Sequence, residues 1–127
     1  MKILCRKISK QKLKCYIKEM TKYKPLYCSE ISIYEARKIL KILQHKFKIK
    51  HKKITFNKTS KWFGGWSYSN GTIDFYANHI LNIGIISHEY CHLICYKKNI
   101  YGHSYKFYNE LKKVNRYLEN KLSFTVK

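Results

Sequence analysis

Residues 88–92 read His-Glu-Tyr-Cys-His. On a helix, positions i and i+4 lie one turn apart on the same face, so His88 and His92 can point at a single metal ion. Glu89, beside the first of them, can reach a water held by that metal. Zinc lowers the pKa of such a water from about 15.7 to about 7, and a carboxylate takes the proton as the water attacks a carbonyl. The chemistry written in these five residues is metal-assisted hydrolysis, most often of a peptide bond. Two histidines and a glutamate also arise on ordinary solvated helix faces, so the surroundings matter. Here the run Ile80-Leu81-Asn82-Ile83-Gly84-Ile85-Ile86 precedes the motif and Leu93-Ile94-Cys95-Tyr96 follows it. A helix apolar on most sides is a buried one. Buried polar groups without partners are costly, and a metal supplies the partner.

A catalytic zinc takes three protein ligands and keeps one position open. The third is expected from His103, which follows a short polar stretch, Lys97-Lys98-Asn99, and the potential helix breaker Gly102. Gly102 can turn the chain back toward the metal, with a second helix opening near Ser104 and running to about Leu122. Glu110 on that helix is the rival ligand, because some zinc sites take a carboxylate from a following helix. His79 precedes the motif helix at a spacing that is not diagnostic. Tyr101 and Tyr105 flank His103, and either could donate a hydrogen bond to an oxyanion. Cys91 and Cys95 lie one turn apart on the motif helix, and packing as small apolar residues suits them better than metal binding.

These residues need a scaffold. Residues 1–24 carry Leu4, Ile8, Leu13, Ile17 and Met20 in a roughly helical stripe among lysines, ending at Lys24-Pro25. Ser32 and Glu35 have capping-box spacing, which predicts a helix over 33–47 with Ile33, Ala36, Ile39, Leu40, Leu43 and Phe47 inward. Residues 48–58 read as a strand with Ile54 and Phe56 on one face. Residues 62–68 read as a second strand, Asn70-Gly71 as a hairpin turn, and 72–76 as a third strand. The third strand is expected to lie along the cleft. There Thr72, Ile73, Asp74 and Phe75 would offer an exposed backbone edge to an extended peptide substrate. Trp62, Trp66 and Tyr68 could stack on unpaired bases, although tryptophans in a small domain are more often core, the reading favoured for Trp62 and Trp66.

Length and composition set the bounds. The 127 residues suffice for one domain, 1–127, with a basic N-terminal segment over 1–28. At 45% hydrophobic and 16% aromatic, the chain is globular rather than disordered. Lys plus Arg number 27 against 7 Asp plus Glu, a formal charge of +20 that invites a polyanion, nucleic acid first. The competing explanation is a lysine-, isoleucine- and asparagine-rich genome bias. Five cysteines, an odd number with no C-x-x-C pair, indicate neither a zinc ribbon nor a disulfide framework, and reduced thiols suit an intracellular compartment. No run approaches the roughly 18 apolar residues of a membrane span. Residues 1–28 lack the apolar core of a secretory signal.

Four segments, taken in order, resemble one family. They are Lys61-Trp62-Phe63-Gly64-Gly65-Trp66-Ser67, then Asn70-Gly71-Thr72-Ile73-Asp74-Phe75, then His88-Glu89-Tyr90-Cys91-His92-Leu93, then Gly102-His103-Ser104-Tyr105-Lys106-Phe107. This order is similar to that of the SprT-like and YgjP-like zinc metallopeptidases, the group of the Spartan-type protease domain. The resemblance covers residues 61–107. It implies a small α+β, zincin-like domain with an N-terminal helix, a three-stranded antiparallel sheet, the HExxH helix and a closing C-terminal helix. It implies His88, His92 and His103 as zinc ligands and Glu89 as general base. One branch of the family cleaves proteins crosslinked to DNA and is switched on by DNA, but its separate DNA-binding segments have no room here.

The expectation is therefore an intracellular zinc metalloendopeptidase, in a cell or a virus-infected cell. Its substrates would be proteins or peptides, and its basic surface would direct it to DNA-bound ones. Two alternatives remain. One is a nucleic-acid-binding or assembly protein with a structural zinc. The other is a peptidase with one dedicated substrate, its charge no more than genome bias.

Overall fold

The computed structural model describes residues 17–58, 64–76 and 81–122. Most of the N-terminal stripe, Trp62 and His79 lie outside the described residues. Residues 17–22 are helical and lead into a one-turn helix, α1 (Lys24–Tyr27), with Pro25 in its first turn, where the missing N–H costs nothing. Of the stripe, Met20 packs against the core while Ile17 is exposed.

Helix α2 (Ile33–Phe47) begins as the capping box requires. Ser32 Oγ accepts from Glu35 N at 3.1 Å, and Glu35 Oε1 accepts from Ser32 N at 3.0 Å. Ala36, Ile39, Leu40 and Leu43 form its buried face, with Ile33 and Phe47 half-buried at its ends. Three strands follow: β1 (Lys53–Asn57), β2 (Gly64–Ser67) and β3 (Thr72–Tyr76). The Asn-Gly turn forms as expected. Gly71 takes a left-handed φ of 95°, its N–H donates to Tyr68 O, and β2 and β3 pair antiparallel.

The sheet is mixed, however, not antiparallel. Its order is β1-β3-β2, and β1 runs parallel to β3 with Ile54 opposite Ile73 and Phe56 opposite Phe75. Side-chain alternation tells which face of a strand is buried, and a tight turn fixes the pairing of its own two strands. Neither specifies the neighbour or direction of β1. This order also overturns the exposed edge expected at Thr72, Ile73, Asp74 and Phe75. Strand β3 is central, hydrogen-bonded on both sides, and Ile73 and Phe75 are fully buried. Among the described strands, the edge beside the motif helix is β2.

Helix α3 (Ile83–Lys97) carries the motif and is buried at every position from Ile83 to Cys95. Asn82 caps it, Oδ1 accepting from Ile85 N at 2.9 Å. Helices α1 and α2, strand β2 and the closing helix α4 (Tyr105–Leu122) surround it, which is why its sequence is apolar all round. Helix α4 is amphipathic by contrast, burying Phe107, Leu111, Val114 and Leu118 at i, i+4, i+7 and i+11.

One close approach has a measurable consequence. A Cβ at Gly84 would stand 2.6–2.7 Å from carbons of the Tyr27 ring. Overpacking of this kind costs about 1–3 kcal/mol. Gly84→Ala is expected to lower the denaturation midpoint accordingly, and a midpoint equal to wild type would show that α1 yields without cost.

Candidate metal centre

The motif helix places His88 and His92 one turn apart, facing the start of α4. Past Lys97 the chain reverses through two left-handed residues, Asn99 (φ 58°) and Gly102 (φ 69°), and delivers His103 to them. The Nε2 atoms of His88 and His103 lie 3.0 Å apart, and those of His92 and His103 lie 3.2 Å apart. All three histidines offer a nitrogen within 4.8 Å of the others, the arrangement needed to hold a metal ion. Bonds of ~2.0–2.1 Å in a tetrahedral zinc site put neighbouring nitrogens roughly 3.3 Å apart, so the donors fit. Phe107 forms the floor. Its ring lies 4.4 Å from that of His92, nearly parallel to it, and 5.0 and 5.1 Å from those of His88 and His103.

The ligand tautomers follow from the surroundings. Nδ1 of His88 lies 2.8 and 3.1 Å from the two carboxylate oxygens of Glu19, which leaves Nε2 for the cluster. Glu19 is itself only 4% exposed and accepts a second hydrogen bond from the Tyr27 hydroxyl. A carboxylate behind a histidine ligand fixes the ring and strengthens it as a donor. Burial alone would lower the His88 pKa, but Glu19 outweighs it and raises the pKa to about 9. Burial and the neighbouring His88 and His103 push His92 the other way, to about 2, so it keeps its lone pair at neutral pH. The buried Nδ1 of His92 has no hydrogen-bond partner among the described residues.

Glu89 is held beside this cluster by the edge strand. Ser67 Oγ lies 2.8 Å from both Glu89 Oε1 and the Glu89 carbonyl oxygen, so the hydroxyl donates to a group whose rotamer it fixes. At Gly65 a Cβ would stand 2.8 Å from Asp74 O and 3.0 Å from Glu89 Cγ, so β2 can approach α3 only without a side chain there. Burial raises the Glu89 pKa, with His88 and Ser67 opposing it. A carboxyl raised above its ordinary range is shifted in the direction a general base for water requires. Tyr96 secures the strand from the next turn of α3, its hydroxyl donating to Ser67 O at 2.9 Å.

The remaining sequence candidates separate clearly. Glu110 lies apart from the cluster. Its carboxylate pairs with Lys98 at 2.9 Å and Lys113 at 3.4 Å, and of the two rivals it is His103 that lies with His88 and His92. Cys91 and Cys95 are buried thiols outside the cluster. Tyr101 and Tyr105 are exposed. Trp66 corrects the core reading: it is 59% exposed, because Gly65 and Ser67 take the inward face of β2 and leave residue 66 pointing out.

Sequence reasoning missed Glu19, Tyr27 and Ser67. Glu19 had one visible mark, as the sole acidic residue among the first 29 in a strongly basic stretch. Nothing in the spacing tied it to a motif 69 residues away. No family model, curated protein or solved structure matches this chain.

Proposed function

We propose that this chain is a zinc metallopeptidase of the SprT-like type, with His88, His92 and His103 as metal ligands and Glu89 as general base. One observation carries the reading: three imidazole donors and a buried, hydrogen-bonded glutamate converge beside a strand edge. Three protein ligands are the complement of a catalytic zinc, whereas structural sites use four. When bound, zinc would polarise a substrate carbonyl and lower the pKa of water to about 7.

Everything else is done by the chain. Glu89 takes a proton from the attacking water and passes it to the leaving amine. Ser67 holds that carboxylate in place, and Glu19 holds His88. Strand β2, the edge strand next to Glu89 among the described residues, would pair with an extended peptide through Gly65, since the Ser67 carbonyl already accepts from Tyr96, and backbone pairing would give weak sequence preference. The basic surface would direct the enzyme to nucleic acid, making proteins bound there the substrate class. Three described cysteines are free thiols, in keeping with an intracellular setting, and no helix among the described residues is long and apolar enough to cross a membrane.

The test is proteolysis, self-cleavage included, by zinc-loaded protein with and without single-stranded DNA. Glu89→Gln is expected to lower the rate about 10²–10⁴-fold while zinc content stays at wild type. Cleavage that survives Glu89→Gln sinks the mechanism. Cleavage that needs Glu89 but ignores DNA keeps the peptidase and removes the DNA-directed substrate class.

A further inference from the structure

The strand alternation that turns Gly65 and Ser67 toward Glu89 turns Trp66 and Tyr68 to the opposite face of the sheet. Register carries that face across the sheet: Trp66 stands opposite Asp74, and Asp74 opposite Thr55. The Thr55 hydroxyl and the Tyr68 hydroxyl both donate to the Asp74 carboxylate, which fixes the polar middle of the face and ties down its one acid. Trp66 is 59% exposed and Tyr68 43% exposed, so two aromatic rings stand out from a rigid strand and the turn that follows it. They are two positions apart along the chain, about 6.6 Å.

Apart from Asp74, the sequence leading into this face is basic. Between Ala36 and Ile73 the sequence holds ten Lys or Arg and no Asp or Glu. Lys50, Lys52 and Lys53 are exposed where the chain enters β1. Lys52 N donates to Gly71 O at 2.8 Å, which places this basic stretch against the β2–β3 turn next to Tyr68. Exposed tryptophan costs free energy in water, and a lysine-rich border repels basic partners and attracts acidic ones. A polyanion with flat apolar surfaces satisfies both features. Duplex DNA hides its base faces, whereas a single strand presents them for stacking while its phosphates meet the lysines.

We propose that the outer face of the sheet is a binding platform for single-stranded nucleic acid, with Trp66 and Tyr68 stacking on successive bases and Lys50, Lys52 and Lys53 meeting the phosphates. The proposal rests on the nucleic-acid half of the functional reading and not on its peptidase half. The platform lies on the side of β2 opposite Glu89, so binding can be read on hydrolytically silent protein.

The experiment is fluorescence anisotropy of a labelled single-stranded oligonucleotide with the full chain carrying Glu89→Gln, at fixed salt. Trp66→Ala and Tyr68→Ala should each weaken binding roughly 5- to 100-fold, the range for loss of one base–aromatic stack. Trp66→Phe should restore most of it. Lys52→Ala should instead reduce the dependence of binding on salt. Trp66 is the more exposed ring, so the thermal melt of Trp66→Ala should match the parent. Tyr68→Ala also removes the donor to Asp74 and is read beside Tyr68→Phe, which keeps the ring. Three outcomes overturn the proposal: no binding of the oligonucleotide, equal binding by Trp66→Ala, or equal affinity for a duplex of the same length. Loss of Glu89-dependent cleavage with these results intact sinks the peptidase and leaves the platform. Trp66-independent binding does the reverse.

Discussion

His103→Ala should abolish tight zinc binding and leave the fold standing. His103 is the one exposed member of the histidine cluster and sits in the turn between α3 and α4, so removing its ring opens no core cavity. The same change at His88 or His92 mixes lost ligation with lost packing, because both are buried in α3. Apparent zinc-site free energies of about 10–16 kcal/mol shared over four ligands give roughly 3 kcal/mol for each, or a 10²–10³-fold rise in Kd. Competition against a chelator measures this directly. The zinc-dependent rise in Tm should vanish with it, since stabilisation by a ligand scales with the logarithm of its concentration over Kd. Glu110→Gln is the control. It removes exposed lysine bridges worth about 0–1 kcal/mol and should leave zinc affinity unchanged. Wild-type zinc affinity in His103→Ala, or its loss in Glu110→Gln, would reverse the assignment of the third ligand.

Glu19→Gln should weaken zinc binding, and by more as the pH rises. Removing a carboxylate from behind a histidine ligand costs about 10–100-fold in metal affinity. In the metal-free protein Glu19 also raises the His88 pKa to about 9, so at neutral pH an incoming metal must first displace a proton. The variant has no such proton to displace, and that offsets part of its loss. Above about pH 9 the competition ends and the full deficit should appear. The sign for folding is the opposite one. A histidine whose folded pKa is raised stabilises the metal-free fold below its unfolded value, about 6.5, and that contribution disappears as pH rises through about 9. Calorimetry in buffers of different ionisation enthalpy should find about one proton released per zinc at pH 7 in wild type and fewer in Glu19→Gln. Equal proton release by the two proteins would remove Glu19 from the site. Tyr27→Phe, which keeps the ring against Gly84 and deletes only the donor to Glu19, should fall between them.

What could be read from the sequence was whatever short-range chemistry encodes. Helix α2 runs from Ile33 to Phe47 as its capping box and apolar stripe predicted, because both signals act within a turn or two. The β2–β3 turn followed from Asn70-Gly71, and the grouping of His88, His92 and His103 followed from an i, i+4 spacing and one left-handed glycine. The failures all concern distant partners. The position of β1 alongside β3 depends on a pairing between segments without a tight turn to join them. The exposure of Trp66 depends on which face of β2 meets α3, and that choice is made by Gly65 and Ser67 rather than by the tryptophan's own hydrophobicity. Glu19 carries no local signature, since a lone acid in a basic helix is ordinarily a surface residue.

That long reach has a temporal meaning. The contact from Glu19 to His88 bridges 69 positions, and the imidazole set closes only with His103 and its aromatic floor at Phe107. A ribosome adds these parts in order from the amino end. A chain interrupted before residue 103 holds at most two of the three histidines and cannot complete the cluster. Closure of the imidazole cluster therefore waits for residue 103, and nascent chains that stop between residues 92 and 102 carry the motif without its third histidine.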